Sequence, residues 1–193
     1  MEERFYRNWT NNLHLKKFKI SYKETDLLIR APEKFPQLSL RTVTSLRKVL
    51  EKYIIKNESF YKSLKPVTIP ASAPPQLQLM AASTRKVGVG PMAAVAGLFA
   101  ETTGKAILKK TEEVIVENGG DIFISVKNDP LIGIYAGDES PFSGRLGFKI
   151  SAASTPTGIC TSAGTVGPSL SKGQADAVTV ISPSTTLADA AAT

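Results

Sequence analysis

This chain is poor in the side chains that most often perform chemistry: among 193 residues there is one cysteine, Cys160, and one histidine, His14. A lone cysteine excludes an internal disulfide framework, and a lone histidine excludes a cluster of His metal ligands. Any Ser-His-Asp triad would have to be built around His14, which sits in an alternating, basic stretch and reads as a surface residue. Aromatic residues are scarce at 7%. No apolar run approaches the roughly 18 to 20 residues of a membrane span, so no spanning segment is expected. The opening MEERFYRNW has charges but neither an apolar h-region nor a small-residue cleavage site. The predicted location is cytoplasmic.

What is present can build a core. The chain is 42% hydrophobic and 21% charged, a balance that fits one packed domain over residues 1–193. Its net charge of +7 is uneven: residues 1–65 hold 15 Lys/Arg against 7 Asp/Glu, and the remainder hold 9 against 10. Such a balance raises nucleic acid as an alternative partner. No helix-turn-helix spacing, zinc ligand set or aromatic RNA-binding pattern accompanies it, so the basic residues read as solvent faces of strands and a helix.

Leu13 to Arg30 alternates apolar and polar residues, the period of half-buried strands, with a turn over Lys23–Asp26. From Leu38 to Lys62 the apolar positions recur at three and four, predicting one long amphipathic helix. Four prolines in residues 64–76 make an extended connector. Leu77–Ala82 reads as a short strand. Gly88-Val89-Gly90-Pro91 then leads into an apolar helix closed by Gly104. Strands are expected over 113–117, 121–126, 131–135 and 175–181, and the first turns of a helix over 187–192. Residues 151–193 carry 15 Ser/Thr and three charges. The chain stops at Thr193 with no glycine or basic last turn, so the domain is expected to lack a C-terminal part.

Three segments could carry chemistry. In Glu117-Asn118-Gly119-Gly120-Asp121 the glycines suit a hairpin turn and also let backbone amides approach a ligand closely; both readings stand. The start of the helix after Gly90 offers unsatisfied amides suited to phosphate, or close packing on a sheet through its small residues. Asp189 and Thr193 are four apart and share one helix face, which suits an oxygen-only Mg²⁺ site that also uses substrate phosphates, or a simple early-helix acid. Cys160, in a small-residue loop, is a candidate reactive thiol or a buried small hydrophobe.

The order of these segments resembles the ApbE-like superfamily, which contains the FAD-dependent flavin transferases. The match is nearest to an uncharacterised prokaryotic branch common in archaea and anaerobic bacteria. It is carried by Arg4-Phe5-Tyr6-Arg7, Lys23-Glu24-Thr25-Asp26-Leu27, and residues 87–97, 116–121, 160–165, 169–178 and 188–193. The resemblance implies an α+β fold of mostly antiparallel sheets with packed helices. It implies a flavin nucleotide, FAD or FMN, lined by Asn118, Gly119, Gly120, Asp121, Thr161 and Ser162, with Mg²⁺ held by Asp189 and Thr193. It implies, by extension, transfer of FMN from FAD to a threonine of a target protein, releasing AMP. Where the transferases carry a His-x-x-Asp-Pro-x-Thr-Gly segment, this chain has Leu170-Ser171-Lys172-Gly173-Gln174-Ala175-Asp176. A second reading is a non-catalytic or sulfur-handling protein of anaerobic sulfur assimilation toward homocysteine, using Cys160. A homo-oligomer is compatible with each reading.

Overall fold

A computed structural model describes residues 14–137, 140–143, 145–163 and 175–193. The chain starts as an antiparallel hairpin, β1 (Lys16–Tyr22) and β2 (Thr25–Ala31), with Tyr22 opposite Thr25. The turn is therefore tighter than expected, only Lys23 and Glu24, with Lys23 at φ 52. Thr25 is buried and begins the second strand instead of belonging to the turn.

The single helix expected to reach Lys62 is two: α1 (Pro36–Lys56) and α2 (Glu58–Lys62). Asn57 leaves the helical region at φ −135, ψ 70, and its Nδ2 donates to the Tyr53 carbonyl at 2.9 Å. The break folds Phe60 back against Tyr53, ring centroids 5.1 Å apart, and buries it completely. After the proline-rich connector comes α3 (Pro75–Val87), which corrects the strand expected at Leu77–Ala82. Leu77 and Leu79 mimic alternation, but the buried residues are Leu77, Met80, Ala81, Ser83 and Thr84, one helical face spaced by three and four. Pro75 occupies the first turn and Gly88, at φ 76, closes the helix.

A 3₁₀ turn over Pro91–Ala94 leads into α4 (Val95–Leu108). Gly104 does not end this helix as expected. It lies inside it because a side chain there would overlap the Phe123 ring, which packs onto the bare backbone.

The remaining elements are β3 (Val114–Asn118), β4 (Asp121–Ser125), β5 (Leu131–Gly133), β6 (Gly147–Lys149), β7 (Thr157–Ser162), β8 (Val178–Ser182) and α5 (Thr185–Ala192). Six strands form one antiparallel sheet in the order β1-β2-β3-β4-β7-β8, and β5 and β6 pair separately. The fold is α+β, antiparallel sheets with packed helices. One face of the sheet (Leu27, Ile29, Val116, Phe123) packs on α1, α3 and α4; the other (Ile115, Ile124, Ile159) packs on Ile132 and Ile150 near the small hairpin. Both faces of β3 are buried, which explains its unbroken apolar run. Residues 160–162, expected in a loop, are strand β7: Cys160 pairs with Asp121 on one side and Val180 on the other. Among the described residues no helix is long and apolar enough to cross a membrane.

Candidate functional site

The β3–β4 turn sets the site. Asn118 faces Asp121 in register, and the two residues between them, Gly119 and Gly120, have φ of 68 and 109. That backbone demands glycine, and it is the turn whose twist suits adjacent antiparallel strands. Gly120 is also crowded: its carbonyl accepts from the Thr161 amide at 3.3 Å, and its own amide donates to Glu117 Oε1 at 3.2 Å. A cleft of about 930 Å³ opens at this turn. Asn118, Gly119, Gly120, Asp121, Thr161, Ser162, Asp189 and Thr193, expected from the sequence as ligand and metal residues, all line it.

Strand alternation divides these residues between two faces. Asn118 and Asp121 turn toward the helices, and Asn118 Nδ2 donates to the Ala96 carbonyl of α4 at 3.0 Å. Cys160, opposite Asp121, lies on that face against Ala188 and Ala192 of α5. Thr161 faces the other way, where its hydroxyl meets that of Thr179 at 2.9 Å. Glu117, Ile122 and Arg30 share that outer face, together with Ile132, Tyr135 and Phe148 along the cleft wall. Glu117 and Arg30 are buried charges of opposite sign on neighbouring strands.

On the helix face, α4 and α5 come close because residue 97 is glycine. A Cβ there would stand 2.5 Å from the Thr185 carbonyl and 2.7 Å from Asp189 Cβ. Asp189 Oδ2 accepts from the Gly97 amide at 2.7 Å, and the Ala96 amide also bonds this carboxyl. The helix start that the sequence offered to phosphate is therefore served by a carboxylate of the protein itself. Thr193 Oγ1 donates to the Asp189 backbone carbonyl at 3.3 Å, a bond within the chain's last turn that does not involve the Asp189 carboxyl.

Two buried carboxyl groups, Asp121 and Asp189, line this part of the cleft, and the charge of Asp121 acts on Asp189. Burial pushes Asp121 up to about 7, the neighbouring Cys160 thiol opposing the rise and the Glu117 charge adding to it. Burial also lifts Asp189 well above its ordinary value; the Asp121 charge adds, and the two amides oppose. No cationic side chain contributes to either group among the described residues. Two carboxylates and a hydroxyl form an oxygen-only donor set of the kind that suits Mg²⁺, which takes few protein ligands and completes its shell with water or phosphate. No group of three or more His, Cys, Asp or Glu residues is arranged for a metal ion among the described residues.

Cys160 is fully buried, with Sγ donating to the Thr185 carbonyl at 3.4 Å. Burial, followed by the charges of Asp121 and Asp189, pushes its thiol well above the usual range. A protonated thiol without solvent contact is a packing residue in this state, not a poised nucleophile. His14 lies outside the cleft, 3.3 Å from Glu113 Oε2. Residues 164–174, with most of the Leu170–Asp176 segment, lie outside the described residues.

Sequence reasoning missed Glu101. It is 3% exposed, and its Oε2 accepts from Thr186 N at 2.9 Å, Thr186 Oγ1 at 2.8 Å and Ser184 Oγ at 3.1 Å, while Oε1 takes Lys105 Nζ at 2.6 Å. Its signal was a lone acid in the apolar run AAVAGLFAE.

A family model described as AbpE bacteria matches residues 7–193. The chain belongs to this ApbE-like family. A UPF0280 protein of Methanococcus maripaludis strain C6 is 45% identical over 179 residues, covering 91% of this chain and 72% of that protein. A UPF0280 protein of Methanocaldococcus jannaschii is 42% identical over 180 residues, 92% of this chain and 72% of that one. Another, from Methanopyrus kandleri, is 41% identical over 176 residues, 91% and 70%.

Proposed function

We propose that this ApbE-like chain binds a flavin nucleotide, FAD or FMN, together with Mg²⁺, across the end of the β3–β4 hairpin. The observation that carries the reading is the two-sided cleft at Gly119-Gly120. On its helix face Asp121, Asp189 and Thr193 present oxygen atoms, and among the described residues no cationic side chain acts on either aspartate. On its outer face Ile122, Ile132 and Phe148 line an apolar wall that also carries Arg30 and Glu117. A ligand with a phosphate end and a flat, largely apolar end matches such a cleft. The volume, about 930 Å³, is at the upper end of small-molecule sites.

Asp189 and Thr193 would hold the cation, with Asp121 beside them, and the glycine backbone of the turn would allow close approach. Bound Mg²⁺ offsets charge on a pyrophosphate. The reading extends to passing FMN from FAD to a threonine of a target protein, with AMP as the leaving group.

The test is a flavin-fluorescence titration of the protein with FAD, with and without Mg²⁺, beside Asp189→Ala. Saturable binding that needs Mg²⁺ and is lost in the variant supports the reading. Absence of binding by the folded wild type ends it.

A further inference from the structure

We infer that Glu101 is a positioning residue: by gripping the first turn of α5 it seats the Asp189 carboxylate on the start of α4, at the wall of the cleft. The inference rests on the reading above in one respect, that Asp189 faces a divalent cation.

α5 has only eight residues, too few to be a stable helix by itself, so tertiary contacts set where it points. Its own cap is Ser184, whose Oγ accepts from the Leu187 amide at 3.3 Å. The Thr186 amide would otherwise be an orphan donor, and Glu101 accepts it. Ser184 and Thr186 add their hydroxyls to the same Oε2. Three donors on one buried carboxylate oxygen fix both the start and the roll of the helix. Asp189 lies about one turn beyond Thr186, and Gly97 lies one turn before Glu101. The contact thus has two anchor points, Glu101 with Thr186 and Gly97 with Asp189.

A slip at the first moves the second, because the bare Gly97 backbone leaves no side chain to hold α5 in place. The amides do not exhaust Asp189, since an ionised carboxylate has about four acceptor positions. It remains partly exposed to the cleft. Glu101 itself never reaches a cation bound there; it acts through the helix.

Two readouts test this on the whole chain: hydrogen exchange at the Gly97 amide, and titration with Mn²⁺ alone. Glu101→Ala is expected to lower Gly97 protection and weaken Mn²⁺ about 10-fold or more, as loss of an outer partner of a metal ligand does. Protection at Phe123, in the sheet core, should stay. Glu101→Gln keeps an oxygen acceptor for Thr186 and should recover most of both. Thr186→Val, which keeps the amide but loses the hydroxyl, should fall between.

Wild-type Gly97 protection and Mn²⁺ affinity in folded Glu101→Ala overturn the inference. If Glu101→Ala loses Gly97 and Phe123 protection together, Thr186→Val decides, and unchanged Gly97 protection in it is equally fatal. Reduced Gly97 protection in a protein whose wild type binds no Mn²⁺ supports the helix coupling and removes the cation reading alone.

Discussion

Glu101 and Asp189 cap each other's helices. Asp189, on α5, accepts the Gly97 amide in the first turn of α4; Glu101, on α4, accepts the Thr186 amide in the first turn of α5. Ala94 at the start of α4 has no side-chain cap to offer, so the carboxylate comes from 92 residues away. Each acid also sits at the positive end of the other's helix, where the dipole favours it. The exchange ties the candidate cation ligand to the packing of two helices.

Two glycines of α4 separate packing from site geometry. Gly104→Ala would overlap the Phe123 ring, and Gly97→Ala would press on Thr185 and Asp189. Each is expected to cost about 1 to 3 kcal/mol through overpacking, read by urea denaturation. Only Gly97→Ala should also weaken Mg²⁺-dependent flavin binding, because only it displaces Asp189. Equal binding losses in the two variants would contradict the assignment.

Asp121 gives the site a pH dependence. A carboxyl whose folded value is raised contributes stability that is complete below its unfolded value of 3.8 and is lost as pH rises through about 7. The free protein should therefore lose stability across that interval, and Asp121→Asn should reduce the loss. Divalent binding runs the other way, since ligating carboxylates must be ionised. Mg²⁺ affinity should climb as pH rises through about 7, where Asp121 ionises, and further as the raised Asp189 carboxyl ionises, in calorimetric titrations. A flat profile would count against Asp121 standing beside the cation.

Glu101 sets an opposite slope at lower pH. Burial alone would raise it, but hydrogen bonds from Lys105 and Thr186 prevail and hold it below its ordinary 4.5. Its contribution is present above 4.5 and is lost as pH falls through its lower, folded value. Acid unfolding of Glu101→Gln should show a shallower decline below that point than the wild type.

Cys160 should resist thiol reagents until the protein unfolds, because it is fully buried and its thiol stays protonated. Cys160→Ala is expected to cost roughly 1 kcal/mol of packing and to leave Mg²⁺-dependent flavin binding in place. Rapid native-state labelling would revive the sulfur-handling reading.

Much was legible locally. The β3–β4 hairpin follows from Asn118-Gly119-Gly120 between apolar runs and α1 from its three-and-four spacing, since each is a property of neighbours on the chain. What failed were positions where a distant partner decides. Leu77–Ala82 became helical because Met80, Ala81 and Thr84 found a core, and residues 160–162 became strand because β4 and β8 flank them. Periodicity also could not say that Asp121 and Thr161 look into opposite faces of one cleft, or that Glu101 would meet Thr186 across 85 residues. The sequence by itself determined the elements whose signals are local, such as the β3–β4 turn and the apolar face of α1; the tertiary structure alone decided the state of Leu77–Ala82 and residues 160–162 and which backbone amides Glu101 and Asp189 reach, because those depend on distant partners, above all the close packing of α4 on α5 through Gly97.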